Sequence, residues 1–368
     1  MRDTSDFVTR ISELMSKPAS QQTAYFIAEI GANHDGNLER AKALINLAAE
    51  SGADAAKFQH IKAEELGSRK GFDKFYAIAE HQTQHRKHAM DAYTEVEIPL
   101  EWTEALQEEC DAASIEFITA PYYTSDIEYL AQYVDAFKVG SGDFAWIEKN
   151  QDLVSSGKPL LLACGASELA NVVQVMSSIK SHHDRVCLMQ CNSSYIGGDG
   201  NLPYLNLNTL KTFQRLWPDI TLGLSDHTKA LSVPVAARAL GATVFERHFT
   251  DDPKREGADH QVALNASEFR EMVNTVREIE IALGDGIKKI EQNEWVGSMT
   301  QRRALRLSRD MKAGSALSRE DISILRPWVE GSFLASDLHT IIGRRLALDV
   351  AEGEEIQSHM LLPTNPIA

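Results

Sequence analysis

The sequence is short of cysteine, of basic charge and of long apolar runs. Its four cysteines (Cys110, Cys164, Cys187 and Cys191) are too few for a disulfide framework and lack paired C-x-x-C zinc spacing, so we expect buried thiols. No apolar run approaches the roughly 20 residues of a membrane-spanning helix, and the polar N-terminus lacks the apolar core of a secretory signal. Lys and Arg number 37 against 53 Asp and Glu, a net charge of −16, which excludes an overall attraction to nucleic acid or anionic membranes. We therefore expect a cytoplasmic protein without nucleic-acid or membrane partners, although a local basic pocket for a small anion is compatible with this composition.

Short apolar runs alternate with segments of helical periodicity over most of the chain. Eight runs predict strands, at 24–29, 54–58, 115–119, 135–139, 159–163, 185–190, 220–224 and 242–248. Helical spacing of apolar residues occurs between them, for example at 38–51, 100–113, 169–181 and 231–240, and after the last strand at 266–283. This alternation predicts an α/β fold, a (β/α)8 TIM barrel. A doubly wound sheet is the alternative, but it leaves the eighth strand without an obvious place.

The rest of the chain divides into an insertion, a linker and a small second domain. Residues 60–97 lie between the second strand and its helix, are longer than a usual βα loop and carry several basic residues. We assign residues 1–284 to the barrel, 285–300 to a polar linker and 301–368 to a small β-rich domain. So small a domain has a limited core of its own.

A weak internal repeat runs through the small domain. The stretch DMKAGSAL from Asp310 reappears as DVAEGEEI from Asp349. Each copy places a glycine, Gly314 or Gly353, for a tight turn. The repeat therefore predicts a pseudo-symmetric β module.

Polar residues follow the carboxyl ends of the predicted barrel strands. In a (β/α)8 barrel these ends converge on one rim, where such enzymes place their chemistry. Seven of the eight ends carry residues of functional types: Glu29; Lys57 and Gln59; Thr119; Lys138, Ser141 and Asp143; Gln190, Asn192, Ser193 and Tyr195; Ser225, Asp226 and His227; Glu246, Arg247 and His248. A lone residue of this kind could be a satisfied polar group of the barrel core, but seven ends together predict a site.

The basic and hydroxyl residues of this rim indicate an anion pocket. Lys57 and Lys138 would bind a phosphate or carboxylate together with Ser141, Ser193 and Ser225. The alternative is that each lysine pairs with a barrel carboxylate.

Two histidines and a glutamate add a second kind of chemistry. His227 and His248, at the ends of adjacent strands, are suited to hold a divalent metal whose shell is completed by Glu or water oxygens. Glu29 is a candidate acid or base on the opposite side.

Five motifs carry a resemblance to a known family. They are AEIGANHDG from Ala28, KFQ from Lys57, KVGSGD from Lys138, GLSDHT from Gly223, and ERHFTDD from Glu246 with GADH ending at His260. Together they resemble the sialic acid synthases, more broadly the phosphoenolpyruvate-dependent nonulosonate synthases. The resemblance extends to the tail, where IGRRL and an Arg-Pro pair at Arg326 and Pro327 are similar to that family's antifreeze-like (SAF) domain.

The resemblance implies condensation of phosphoenolpyruvate with the open-chain aldehyde of a six-carbon N-acyl amino sugar, with C–O cleavage and release of phosphate. It implies phosphoenolpyruvate contacts from Lys57, Lys138, Ser141, Ser193 and Ser225. His227 and His248 would hold Mn²⁺ or Mg²⁺, which polarises the aldehyde, and Glu29 would transfer a proton or position water. The sugar would contact Gln59, Asp143, Tyr195 and Asp259. It also implies a domain-swapped homodimer, in which Arg326 of one chain reaches the N-acyl group bound to the other.

The chain departs from the family pattern mainly in substrate contacts. Ala120 and Ala163 replace hydroxyl residues, Cys164 stands in place of a Thr, and Asp143 is one methylene shorter than the usual Glu. These differences predict an active synthase whose acceptor need not be N-acetylmannosamine.

Three other functions are compatible with the residues. A metal-dependent sugar isomerase or epimerase would use His227, His248 and Glu29, but would have no need of the paired lysines. A synthase for a phosphorylated acceptor would need another anion site, for which only the basic insertion offers material. A non-catalytic sugar-binding relative would account for the lost hydroxyls.

Overall fold

Eight parallel strands close into a barrel in the first of two compact units, residues 1–284 and 285–368. The computed structural model describes residues 8–78, 88–194, 199–257 and 259–363. The strands are β1 (Tyr25–Glu29), β2 (Ala55–His60), β3 (Glu116–Pro121), β4 (Ala136–Val139), β5 (Leu160–Ala163), β6 (Val186–Cys191), β7 (Thr221–Asp226) and β8 (Val244–His248). Pairing of β1 with β8 closes the barrel. The predicted TIM barrel is confirmed, and no strand end lies more than two residues from its predicted position.

Helices surround the barrel and fill its connections. They are α1 (Arg10–Ser16), α2 (Leu38–Glu50), α3 (Ala63–Leu66), α4 (Arg69–Ile78), α5 (Ala89–Glu95), α6 (Trp102–Ala112), α7 (Ile127–Leu130), α8 (Ile147–Ser155), α9 (Leu169–Ser178), α10 (Thr209–Leu216), α11 (Ser232–Ala239) and α12 (Ala266–Leu283). Short 3-10 helices lie at Ala19–Gln21, Ser141–Asp143, Lys180–Arg185, Asp199–Tyr204 and His260–Val262. Over the described ranges, no helix combines the length and apolar character that crossing a bilayer requires.

Apolar side chains form two layers in this unit. An outer layer packs the helices on the barrel and includes Phe58 and Phe213. An inner layer fills the barrel and includes Ile27 and Met189. All four cysteines are buried and form no disulfide, as the sequence predicts.

Helix α1 was not expected from the sequence. Thr9 caps it by accepting a hydrogen bond from the Ser12 amide, and Ile11, Leu14 and Met15 join the inner apolar layer. The helix therefore closes the amino-terminal end of the barrel. The signal was present in the spacing of these three apolar residues.

The long insertion after β2 is helical in its described parts. It contains α3, α4 and α5, while residues 79–87 lie outside the described ranges. Met90 on α5 is buried.

The second unit contains α13 (Trp295–Gln301), β9 (Ala304–Leu307), β10 (Ile322–Leu325) and α14 (Leu338–Ile341), with 3-10 helices at Gln292–Glu294, Ala335–Asp337 and Ser358–Met360. Strands β9 and β10 pair antiparallel. The segment assigned to a linker, 285–300, holds one of these 3-10 helices and most of α13, because polar composition does not by itself prevent a short helix.

The two copies of the repeat pair with each other. Met311 and Val350, which are equivalent in the repeat, exchange backbone hydrogen bonds of 3.0 Å in both directions. The side chains of the two leading aspartates each accept a hydrogen bond from the backbone of the other copy. Gly314 and Gly353 have φ of 82° and 81°, the left-handed conformation that the turn prediction required.

Candidate active site

A cavity of about 490 Å³ opens at the carboxyl ends of the strands and gathers most of the predicted site. Eleven of the thirteen predicted residues line it: Glu29, Lys57, Gln59, Lys138, Ser141, Asp143, Ser193, Ser225, His227, His248 and Asp259. Tyr195 lies outside the described residues. Arg326 directly follows β10 in the second unit and is exposed.

Strand register sets the floor of the cavity. Glu29 pairs laterally with Lys57 on β2 and with His248 on β8. Lys57 Nζ lies 2.8 Å from Glu29 Oε2, and Gln59 Nε2 donates to Glu29 Oε1 at 2.5 Å. The Glu29 carboxylate is therefore held by two donors in one orientation.

The second lysine is paired in the same way. Lys138 Nζ lies 3.3 Å from Glu246 Oε1, and Ser225 Oγ donates to the same oxygen at 3.2 Å. Each lysine thus has the carboxylate partner that the alternative interpretation foresaw, and each still faces the cavity.

Burial and charge act in opposite directions on these groups. Burial by itself would lower the pKa of Lys57, but the nearby Glu246 and Glu29 carboxylates raise it. Burial likewise opposes ionisation of Glu246, yet Lys138 and Lys57 lower its pKa to about 2. Lys57 and Glu246 are therefore both charged near neutral pH.

Serine hydroxyls form a second polar wall. Ser141 Oγ accepts a hydrogen bond from the Gly165 amide at 3.0 Å. Ser193 Oγ is buried without a hydrogen-bond partner among the described groups. A Cβ on Gly165 would lie 2.2 Å from Ser193 Oγ and 2.6 Å from Ser141 Oγ. Only glycine leaves both hydroxyls in place here, and an oxyanion could satisfy the buried Ser193 hydroxyl.

The two histidines lie side by side, with ring centroids 5.3 Å apart. His227 Nδ1 is 3.0 Å from the Asn192 carbonyl oxygen, so Nδ1 carries the proton and donates it, which leaves the lone pair on Nε2. Burial lowers the pKa of both imidazoles. Neutral imidazoles are the form that binds a metal.

The described part of the chain offers few groups that could bind a metal. Among the described residues no cluster of three or more His, Cys, Asp or Glu side chains is arranged to hold a metal ion. Asp259 Oδ2 is 3.6 Å from His248 Nδ1. A metal at this position would therefore have two imidazoles of the described chain as ligands, and other oxygens would have to complete its shell.

The carboxylates lining the cavity outnumber its lysines by two. Glu29, Asp143, Glu246 and Asp259 face Lys57 and Lys138 there. A polyanionic ligand therefore requires further positive charge in this cavity, which a divalent cation at the imidazoles would supply.

Asp143 is held by a residue that the sequence interpretation did not single out. Lys149 Nζ lies 2.6 Å from Asp143 Oδ2. Tyr122, which directly follows β3, also lines the cavity.

The insertion contributes an apolar wall that residue types alone did not indicate. The cavity is lined by Leu66 of α3, by Ala92 and Tyr93 of α5, and by Val96 directly after α5. Only the amphipathic spacing of these residues could have suggested it.

Some residues near the rim are structural. Asn33 Nδ2 donates to the Phe249 carbonyl at 2.9 Å. The His34 ring packs against Trp102 at 5.9 Å, and burial lowers its pKa to about 4. Arg247 forms a buried ion pair with Asp226.

Two of the departures noted in the sequence, Ala163 and Cys164, lie in apolar surroundings. Ala163 packs in the inner barrel layer and Cys164 in the outer layer. Burial raises the pKa of Cys164 to about 12, so this thiol is not a nucleophile near neutral pH. Ser141 and Ser193 supply the hydroxyls next to these positions.

The fold and the cavity define a TIM-barrel protein whose rim brings together two lysines, serine hydroxyls and two imidazoles, joined to a small β-rich domain. Models of the NeuB family and of the SAF domain match residues 44–288 and 302–362. The chain therefore belongs to the NeuB family and carries a C-terminal SAF domain.

The sequence similarity to relatives extends over almost the whole chain. The N,N'-diacetyllegionaminic acid synthase of Legionella pneumophila is 34% identical, and the match covers 91% of this chain and 93% of that protein. The human N-acetylneuraminate-9-phosphate synthase is 30% identical, with 93% of each chain covered. The crystal structure of the N-acetylneuraminic acid synthetase of Leptospira borgpetersenii superimposes with a TM-score of 0.64 at 25% identity, covering 77% of this chain and 90% of that one.

Proposed function

We propose that this protein is a nonulosonic acid synthase that condenses phosphoenolpyruvate with the open-chain form of a six-carbon N-acyl amino sugar and releases phosphate. The observation that carries the proposal is one cavity that combines two buried lysines, serine hydroxyls and two neutral imidazoles. The legionaminic and neuraminic acid synthases among its relatives support the same reaction class.

In this proposal the anionic groups of phosphoenolpyruvate bind to Lys57 and Lys138 and to the hydroxyls of Ser141, Ser193 and Ser225. The buried Ser193 hydroxyl would gain the partner that it lacks among the described groups. Charged donors in a buried site bind a phosphate or carboxylate more strongly than neutral donors do.

His227 and His248 would hold Mn²⁺ or Mg²⁺, since their lowered pKa values keep them neutral and able to bind a metal. When bound, the cation supplies Lewis-acid polarisation of the sugar aldehyde and balances the excess of carboxylates in the cavity.

The bond changes assign roles to the remaining groups. C3 of phosphoenolpyruvate forms a bond with the aldehyde carbon, whose C=O π bond opens and whose oxygen takes up a proton to become a hydroxyl. A water oxygen adds to C2, the C2–O bond to phosphate breaks, and C2 becomes a ketone as the second proton of the water leaves with phosphate. Glu29, oriented by Lys57 and Gln59, would position this water and take its proton. Gln59, Asp143 and Asp259 would contact the sugar, and Tyr195 would join them.

The experiment is phosphate release from phosphoenolpyruvate with and without Mn²⁺, using N-acetylmannosamine, its 6-phosphate and 2,4-diacetamido-2,4,6-trideoxyhexoses as acceptors. Release that requires both metal and an acceptor is expected, and the best acceptor identifies the product. Absence of release with every acceptor, while the metal binds to folded protein, would contradict a synthase and favour a non-catalytic relative. Conversion of a sugar without phosphoenolpyruvate would instead indicate an isomerase or epimerase.

We also propose that the active form is a domain-swapped homodimer, with Arg326 acting on the partner's barrel. Mixing inactive His248→Ala and Arg326→Ala proteins tests this proposal. In mixed dimers one of the two sites would be intact, so equal mixing should restore roughly a quarter of wild-type activity. No recovery, although subunits exchange, would place Arg326 outside the partner's site.

A further inference from the structure

Lys149 is a buried lysine close to the cavity that the proposed chemistry does not use. It is the third residue of α8, and its side chain is 1% exposed. Its Nζ lies 2.6 Å from Oδ2 of Asp143, which lines the cavity, whereas Lys149 itself lies behind the cavity wall.

Helix position and burial both disfavour a charged lysine here. The amino-terminal turn of a helix carries a partial positive charge, so a cation there is unfavourable. Burial lowers the pKa of Lys149, and Asp143 only partly offsets that effect. Buried ion pairs are also often no more stable than apolar side chains of similar volume. Stability alone therefore does not account for this residue.

The ammonium group is fixed on more than one side. Its Nζ lies 5.5 Å from the centre of the Tyr122 ring and 5.4 Å from that of Trp146, within the range of cation–π attraction. Tyr122 also lines the cavity. Lys149 thus connects two residues of one cavity wall and restricts where the Asp143 carboxylate can point.

We propose that Lys149 is a positioning residue that determines acceptor specificity through Asp143. With Oδ2 held by Lys149, Oδ1 is oriented to accept a hydrogen bond from an O–H or N–H group of the amino sugar. A site built around a fixed acceptor rejects sugars that lack the donor, because the buried carboxylate would then lose its partner.

The pair also suits a site that must hold an anion. Carboxylates already outnumber lysines among the cavity-lining residues. Lys149 neutralises Asp143, so the acceptor side gains a hydrogen-bond acceptor without an uncompensated negative charge facing phosphoenolpyruvate.

This inference rests on the proposed function, and the experiment separates the two. Steady-state phosphate release and calorimetric binding of the same acceptor panel, with Mn²⁺ and phosphoenolpyruvate present, are measured for wild type, Lys149→Met, Lys149→Arg, Asp143→Asn and the double variant Lys149→Met/Asp143→Asn. Methionine keeps most of the volume of lysine without its charge, and arginine keeps the charge. Thermal unfolding checks that each variant is folded.

We expect Lys149→Met to raise the KM for the amino sugar at least about tenfold and the KM for phosphoenolpyruvate less than about twofold, since only Asp143 loses its partner. Lys149→Arg should raise the KM for the amino sugar less than Lys149→Met does, because arginine keeps the charge. In the Asp143→Asn background, Lys149→Met should have little further effect, because two residues acting through one contact are not additive.

Additive effects in the double variant, or an equal rise in both KM values, would overturn the proposal and indicate a general structural role. If the wild type binds an acceptor but releases no phosphate, the proposed function fails. Acceptor affinity then tests the role of Lys149, and equal Kd values for wild type and Lys149→Met would overturn that role. If the wild type binds none of the sugars, both proposals fail.

Discussion

Glu116 provides a quantitative test of how the closed end of the barrel is built. It is the first residue of β3 and is buried beneath α1. The backbone amides of Arg10 and Ile11 donate to its carboxylate, and so does the Tyr25 hydroxyl. Burial raises the pKa of Glu116 from 4.5 to about 7; the Tyr25 hydrogen bond opposes this rise and Asp135 adds to it.

The consequence for stability follows from the sign of this change. Between pH 4.5 and about 7 the unfolded chain loses the Glu116 proton while the folded chain keeps it. The contribution of Glu116 to the free energy of unfolding is therefore fully present below pH 4.5 and is lost as the pH rises through 7. At about 1.4 kcal/mol for each pH unit, the rise corresponds to about 3 kcal/mol of unfolding free energy.

The perturbation is Glu116→Gln, which keeps the size of the side chain and removes its ionisation. Urea unfolding of the barrel is followed by circular dichroism between pH 5 and pH 8. The free energy of unfolding of the wild type should fall relative to the variant by about 2.5 kcal/mol across this range, because part of the total is already lost below pH 5. Glu128→Gln, an exposed site on α7, is the matched control for a change of one charge.

Parallel pH profiles for the wild type and Glu116→Gln would refute the reasoning. They would mean that the three donors hold the carboxylate ionised despite its burial. A relative fall of the same size in Glu128→Gln would instead attribute the effect to net charge.

Three further predictions concern the cavity. Gly165→Ala should raise the KM for phosphoenolpyruvate about tenfold or more in steady-state assays, because its Cβ would lie 2.2 Å from Ser193 Oγ; an unchanged KM would remove these serines from the anion site. Calorimetric binding of phosphoenolpyruvate should require a divalent cation, since lining carboxylates outnumber lysines, and equal affinity in a chelator would contradict this charge balance. Asp35→Asn should weaken acceptor binding, because it removes the charged contact with Arg255 at 3.1 Å that restrains the loop leading to Asp259. The protein should stay folded, since Asn tolerates the φ of 51° at this position. An unchanged KM for the acceptor would show that acceptor binding does not depend on this contact.

The barrel was predictable because each of its strands is buried on both faces. A parallel strand between a filled interior and a helical layer must be apolar along its length, so runs such as that of β5 stand out in the sequence. The same contrast made the cavity-lining residues predictable as a set. Polar residues at the end of an apolar strand are not needed for core packing, and the carboxyl ends of parallel strands converge on one rim.

Other features needed the folded chain. Helix α1 has only seven residues, too few for the spacing of its apolar residues to predict a helix reliably. It is stabilised by packing against the barrel interior rather than by helix propensity. The apolar wall contributed by α5 was hidden because a helix face becomes a cavity wall only when the chain returns over the rim.

Residue types and their order along the chain sufficed for the eight strands, the repeat of the small domain, the family resemblance and the set of residues at the rim. They did not decide which charges pair. Lys57 and Lys138 looked equivalent as anion ligands, but strand register places Glu29 beside one and Glu246 beside the other. Lys149 looked like an ordinary helix lysine, and only the turn of the chain after β4 brings it to Asp143. Sequence patterns record whether a position is buried, whereas the energy of a charge depends on its distance to groups that are remote in the chain, and tertiary structure sets those distances.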